Sequence, residues 1–80
     1  MTLQRPRQPM TDEVAGALKR RGLIQAYETR PAYQQNDYLR WIAQAKRAGT
    51  RARRLDQMLT ELEQGGVYMR MKWRPRAKAA

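Results

Sequence analysis

The chain has 80 residues, 17 of them basic and 7 acidic, for a formal net charge of +10, and it contains no cysteine, histidine or serine. That length makes one small domain, which dimerisation would help to stabilise. The missing residue types exclude a disulfide framework, zinc or haem sites built from Cys and His, a His general base and a serine triad.

Thirteen of the 17 cations are arginine, a residue suited to bidentate contact with phosphate or carboxylate. Residues 1–10 carry +2, 11–45 carry +1, 46–54 carry +5, 55–66 carry −3 and 67–80 carry +5. Such clustering reads as an electrostatic footprint for nucleic acid or another polyanion; the plainer reading is a soluble basic surface. No apolar run approaches the ~20 residues that span a bilayer. The start, Met-Thr-Leu-Gln-Arg-Pro-Arg-Gln-Pro, lacks an apolar signal core, so a cytoplasmic location is expected.

Residues 1–9 read as a flexible lead-in, 10–66 as a helical domain and 67–80 as a basic, aromatic tail. Thr11 or Asp12 caps a first helix with Asp12 and Glu13 in its first turn. Val14, Ala17, Leu18 and Arg21 share a face, and Gly22 follows as the C′ residue. Leu23, Ile24, Ala26 and Tyr27 form a short second helix ending near Thr29. Arg30 precedes a proline and is extended. Pro31 opens a third helix, which runs to about Ala48 with Tyr38, Trp41, Ile42 and Ala45 on one side and Leu39 flanking.

Gly49 is expected to end that helix, and Thr50 to cap a fourth that runs to about Gln64. Its apolar stripe is Ala52, Leu55, Met58, Leu59 and Leu62, and Gly65 and Gly66 stop it. Five cations, Lys46, Arg47, Arg51, Arg53 and Arg54, crowd the junction, and no acid lies between Asp37 and Asp56. A helix N-terminus has free N–H groups and a partial positive charge, so the cluster is a candidate anion site. In projection Arg47 and Arg53 face solvent. Lys46, Arg51 and Arg54 lean towards the helix pair, where Asp56, Glu61 and Glu63 could serve as structural partners.

The tail alternates with period two: Val67, Met69, Met71 and Trp73 on one side, Tyr68, Arg70, Lys72 and Arg74 on the other. It reads as an edge strand, a strand completed by a partner, or an arm packed on the helices. Basic residues interleaved with aromatics also suit single-stranded nucleic acid. The scattered carboxylates and lysines form no catalytic or metal-binding spacing, so neither an enzyme nor a cofactor is expected. Phosphate contact without strong sequence preference is the expectation for the cations, because Arg-Ala-Arg-Arg lacks base-reading amides. The anion-binding set is Lys46, Arg47, Thr50, Arg51, Arg53 and Arg54, extended by Arg70, Lys72, Trp73, Arg74 and Arg76. The expected fold is all-α, a small bundle of three main helices and one short helix. Its third and fourth helices form an antiparallel pair, and an extended basic tail follows them.

The run Trp41-Ile42-x-x-Ala45-Lys46-x-x-x-Thr50-Arg51-x-x-Arg54 resembles the C-terminal helical region of the YdeI/OmpD-associated family, also labelled bacteriocin-protection proteins. Pro9 to Leu18 resembles the family's proline, acidic pair and Ala-Leu opening. Met58-Leu59 and Gly65 resemble its ending. The resemblance covers roughly residues 9 to 66 and points to Trp41, Lys46, Thr50, Arg51 and Arg54. It implies an association with an outer-membrane porin and resistance to cationic antimicrobial peptides. The rival to nucleic-acid binding is therefore a protein-interaction or envelope-stress factor, with Arg51 and Arg54 making structural ion pairs.

Overall fold

A computed structural model describes residues 8–74. Its elements in chain order are α1 (Asp12–Arg21), α2 (Ile24–Glu28), α3 (Ala32–Ala43), α4 (Ala48–Gln64), β1 (Val67–Tyr68) and β2 (Met71–Lys72). The helical body is as expected in kind and order; the small sheet was not foreseen.

Local chemistry explains most boundaries. The Thr11 hydroxyl accepts the Val14 N–H at 3.3 Å, which caps α1. Gly22 ends α1 in the left-handed region at φ 66°, and its N–H returns to the carbonyls of Leu18 and Lys19. Pro31 is the N-cap of α3 rather than its first helical residue. Gly65 closes α4 at φ 80°.

The junction departs from expectation. The third helix ends at Ala43, and Gly49 and Thr50 lie inside the first turn of α4, whose N-cap is Arg47. The physical reason is in the backbone: the Arg51 N–H bonds to the Arg47 carbonyl at 2.9 Å, so the helix starts before Thr50. Gly49 has no left-handed φ and ends nothing. At the end of α3 the Ala45 N–H bonds to the Ile42 carbonyl at 3.2 Å, a tighter i to i−3 turn in place of the helical pattern, with Ala45 buried and Lys46 and Arg47 exposed.

Val14, Ala17 and Leu18 from α1, Leu23 and Tyr27 around α2, Tyr38, Leu39 and Ile42 from α3, and Leu55, Met58, Leu59 and Leu62 from α4 form one core. Trp41, Tyr68 and Met69 pack on its edge. Ala52 was placed on the α4 stripe, but it is exposed. It falls one turn before Leu55, the first buried residue of α4. Two ion pairs align α1 with α4: Arg51 Nε to Glu13 Oε1 at 3.3 Å near their starts, and Arg21 Nη2 to Glu63 Oε2 at 2.6 Å near their ends.

The expected extended tail is a hairpin over residues 67–72. β1 and β2 pair antiparallel, with Val67 opposite Lys72 and Tyr68 opposite Met71. A turn at Met69 and Arg70 breaks the period-two alternation that the sequence suggested. Both turn residues are left-handed, at φ 50° and 65°, the form a two-residue hairpin loop prefers. Neither is Gly or Asn, so each carries roughly 1–2 kcal/mol of backbone cost. Something outside the turn must offset it.

Candidate functional site

The offset comes from Glu61. This residue lies on the buried side of α4, between Met58 and Leu62, and is 3% exposed. Its Oε1 accepts the Met69 N–H at 2.8 Å and its Oε2 accepts the Arg70 N–H at 2.9 Å. Tyr38 donates its hydroxyl to Oε1, and the Gln57 side-chain amide donates to Oε2 at 3.1 Å. One carboxylate thus satisfies both amides of the turn and ties the hairpin to α3 and α4. Hydrogen bonds to an acidic side chain are among the stronger ones in proteins.

Arg30 completes the clasp from the other side. It is 5% exposed. Its Nη1 donates to the Gln34 side-chain carbonyl at 3.1 Å, and its Nη2 donates to the Glu61 main-chain carbonyl at 2.9 Å. That carbonyl is in the last turn of α4, where a cation complements the helix dipole. The guanidinium also lies 4.5 Å from the centre of the Trp73 ring, close enough for a cation–π contact. Tyr68 donates to Asp37 Oδ2 at 2.8 Å and meets Tyr33 and Tyr38 edge to face. Burial pushes the Tyr38 phenol above its ordinary range, and the Glu61 hydrogen bond adds to this. Tyr68 moves the same way, through burial and then Asp37. Among the described residues no buried side-chain nitrogen or oxygen lacks a partner.

The cations singled out in the sequence divide. Arg51 pairs with Glu13 on α1. Arg54 donates from Nη1 to the Trp41 carbonyl at 2.6 Å and stacks 5.1 Å from the Trp41 ring centre. Both therefore make contacts within the fold, although with α1 and α3 and not with Asp56, Glu61 or Glu63. Lys46, Arg47 and Arg53 are exposed, and Thr50 is half-buried without capping anything. In the hairpin segment Arg70, Lys72 and Arg74 are exposed, while Trp73 is half-buried over Arg30. Arg76 lies outside the described residues.

Four of these residues converge. Thr50, Arg53 and Arg54 share a face of α4 with Gln57, and Arg70 reaches the same face from the hairpin turn. With Trp41 they line a shallow groove of about 280 Å³. A second depression of about 440 Å³ continues it along α4 and shares Arg53, Gln57 and Arg70. Arg70 is held there by the backbone bond to Glu61 and by its own Nε donating to Gln57 Oε1 at 3.2 Å. Glu61 and Arg30 were missed as organising residues. The signal was an acid on the apolar stripe, three residues after Met58 and one before Leu62.

Among the described residues no helix is long and apolar enough to cross a membrane. A family model described as bacteriocin-protection, YdeI or OmpD-associated (OmdA) matches residues 9–65. Neither the curated proteins nor the solved structures give a match.

Proposed function

Because the chain belongs to the bacteriocin-protection, YdeI or OmpD-associated family, we propose that it is a non-enzymatic protein-interaction factor in protection against bacteriocins or cationic peptides. The observation that carries this reading is the extent of the match, which spans all four helices and the Arg-rich junction. A net charge of +10 repels a cationic peptide, so protection by direct capture of the peptide is disfavoured. The reading therefore places an intermediate partner with an acidic surface between this protein and the toxic peptide.

The nucleic-acid reading rests on charge and on the aromatics of the tail, and Trp73 is occupied over Arg30. One of the cations it would use at the start of α4, Arg51, is already paired with Glu13 on α1. Deleting the gene is expected to sensitise cells to cationic peptides, measured as a lower growth-inhibiting concentration. Unchanged sensitivity would count against the proposal. Mixed-sequence DNA or RNA is expected to show little binding by fluorescence anisotropy at low salt. Tight binding that falls steeply with salt would favour the nucleic-acid reading instead.

A further inference from the structure

The groove along α4 has a polarity that selects between kinds of partner. At its Trp41 end stand Arg53, Arg54 and Arg70, and no carboxylate lines that depression. Farther along α4 stand Thr60 and Gln64, and Asp56 lies between, one turn on from Arg53. The groove is thus cationic at the Trp41 end, carries one exposed carboxylate beside Arg53, and is neutral towards Gln64.

The donors at the cationic end are available. Arg53 is exposed and makes no ion pair with the described residues. Arg54 and Arg70 each spend one N–H on the protein, on the Trp41 carbonyl and on Gln57. A guanidinium has five, so several remain on each. The Arg54 stack on Trp41 and the fixed backbone of Arg70 hold two of the three side chains in place before any ligand arrives. Such preorganisation lowers the entropy lost on binding. Thr60 and Gln64 farther along offer neutral donors and acceptors to a chain lying in the groove.

A nucleic acid carries a phosphate at every nucleotide. Laid along this groove, it would set one phosphate against Asp56 and others against the neutral Thr60 and Gln64. A peptide can concentrate its acids at one end and be neutral at the other. We infer that the groove formed by α4, Trp41 and the hairpin turn binds a segment of a protein partner whose Asp or Glu residues cluster at one end, seated against Arg53, Arg54 and Arg70. This rests on the protein-interaction reading above and names the chemistry of the partner.

The test is fluorescence anisotropy on the full chain at low salt. The probe is a fluorescein-labelled decapeptide with Asp and Glu confined to one end and Gln, Thr and Gly elsewhere. Its amide counterpart, with Asn and Gln for the acids, and mixed-sequence single-stranded DNA of similar length are the comparisons. The acidic-ended peptide binds more tightly than either. Arg53→Glu and Arg70→Gly each weaken it by about tenfold, as expected for removing a charge from a complementary surface. Arg70→Gly suits the purpose because glycine accepts the left-handed φ at that position and leaves the backbone N–H to Glu61 intact. Circular dichroism checks that both variants keep their helices. The inference is overturned if DNA binds more tightly than the acidic peptide, if the amide peptide binds equally, or if both folded variants bind like the wild type. The two readings fail separately. If deletion sensitises cells and no peptide binds, the groove is wrong and the protective role stands. If the peptide binds and deletion changes nothing, the groove stands and the protective role does not.

Discussion

Two regions of this molecule handle charge in opposite ways. The junction of α3 and α4 holds the densest run of cations in the chain, yet Lys46, Arg47 and Arg53 are exposed, and Arg51 and Arg54 make only one or two contacts each. The clasp beneath the hairpin holds one arginine and one glutamate, nearly inaccessible to water, and every hydrogen-bonding group around them is matched. The density of charge in a sequence therefore does not mark where charge bears on the fold. Depth and the number of partners do. A buried acid with four donors fixes the position of a turn, whereas an exposed ion pair gives little.

The contrast is broken most severely at Glu61. Glu61→Ala leaves the Met69 and Arg70 amides and the Tyr38 hydroxyl without their acceptor. It should cost about 3 kcal/mol in urea unfolding. A cost below about 1 kcal/mol would mean that the turn is held by something else.

Alkaline pH probes the same region without mutation. Burial raises the folded pKa of Tyr27 to about 12 and holds Tyr38 and Tyr68 above their ordinary range. Unfolded tyrosine titrates near pH 10, so above that pH the unfolded chain has lost protons that the folded chain keeps. Stability from this source is complete below about pH 10 and falls as pH rises through the folded values. Urea midpoints compared near neutrality and above pH ~10 measure it. Midpoints that hold steady into strong alkali would contradict the burial of these phenols.

The junction should respond more mildly. Arg54→Ala loses a bond to the Trp41 carbonyl and a stacking contact, worth about 1 kcal/mol together. Arg51→Ala removes an exposed pair and should change stability by less than about 0.5 kcal/mol. Equal costs at the two positions would erase the distinction between them.

Substitution at the cap should act in the opposite direction. Arg47 caps α4 without a side-chain hydrogen bond. Arg47→Asp should therefore stabilise by roughly 0.5–1 kcal/mol. Thr50→Ala should shift stability by less than about 0.5 kcal/mol, since Thr50 is already inside the helix. Thermal melts of the pair report which residue begins α4.

The sequence made the helices legible because their signals are local. Thr11, Gly22 and Gly65 each mark a boundary by their own backbone chemistry. The junction differs from expectation because Gly49 and Thr50 imitate a stop and a cap, while the helix begins from Arg47, a residue with no capping side chain to mark it. The hairpin was illegible for a stronger reason. Met69-Arg70 lacks the Asn or Gly that marks such turns, and its conformation is imposed by Glu61 on a neighbouring helix. Of the candidate site, Thr50, Arg53, Arg54 and Arg70 were legible as cationic neighbourhoods. Their convergence on Trp41 and Gln57 required the turn to be placed first.

Amide hydrogen exchange at Met69 and Arg70 tests the central claim most directly, namely that Glu61 fixes the hairpin turn on the helices. The two N–H groups at the tip of so short a hairpin would exchange nearly freely without an acceptor. With Glu61 in place they should be protected by about a hundredfold or more over free-peptide rates, and Glu61→Ala should abolish that protection. Free-peptide rates at both amides in the wild-type chain would contradict the account.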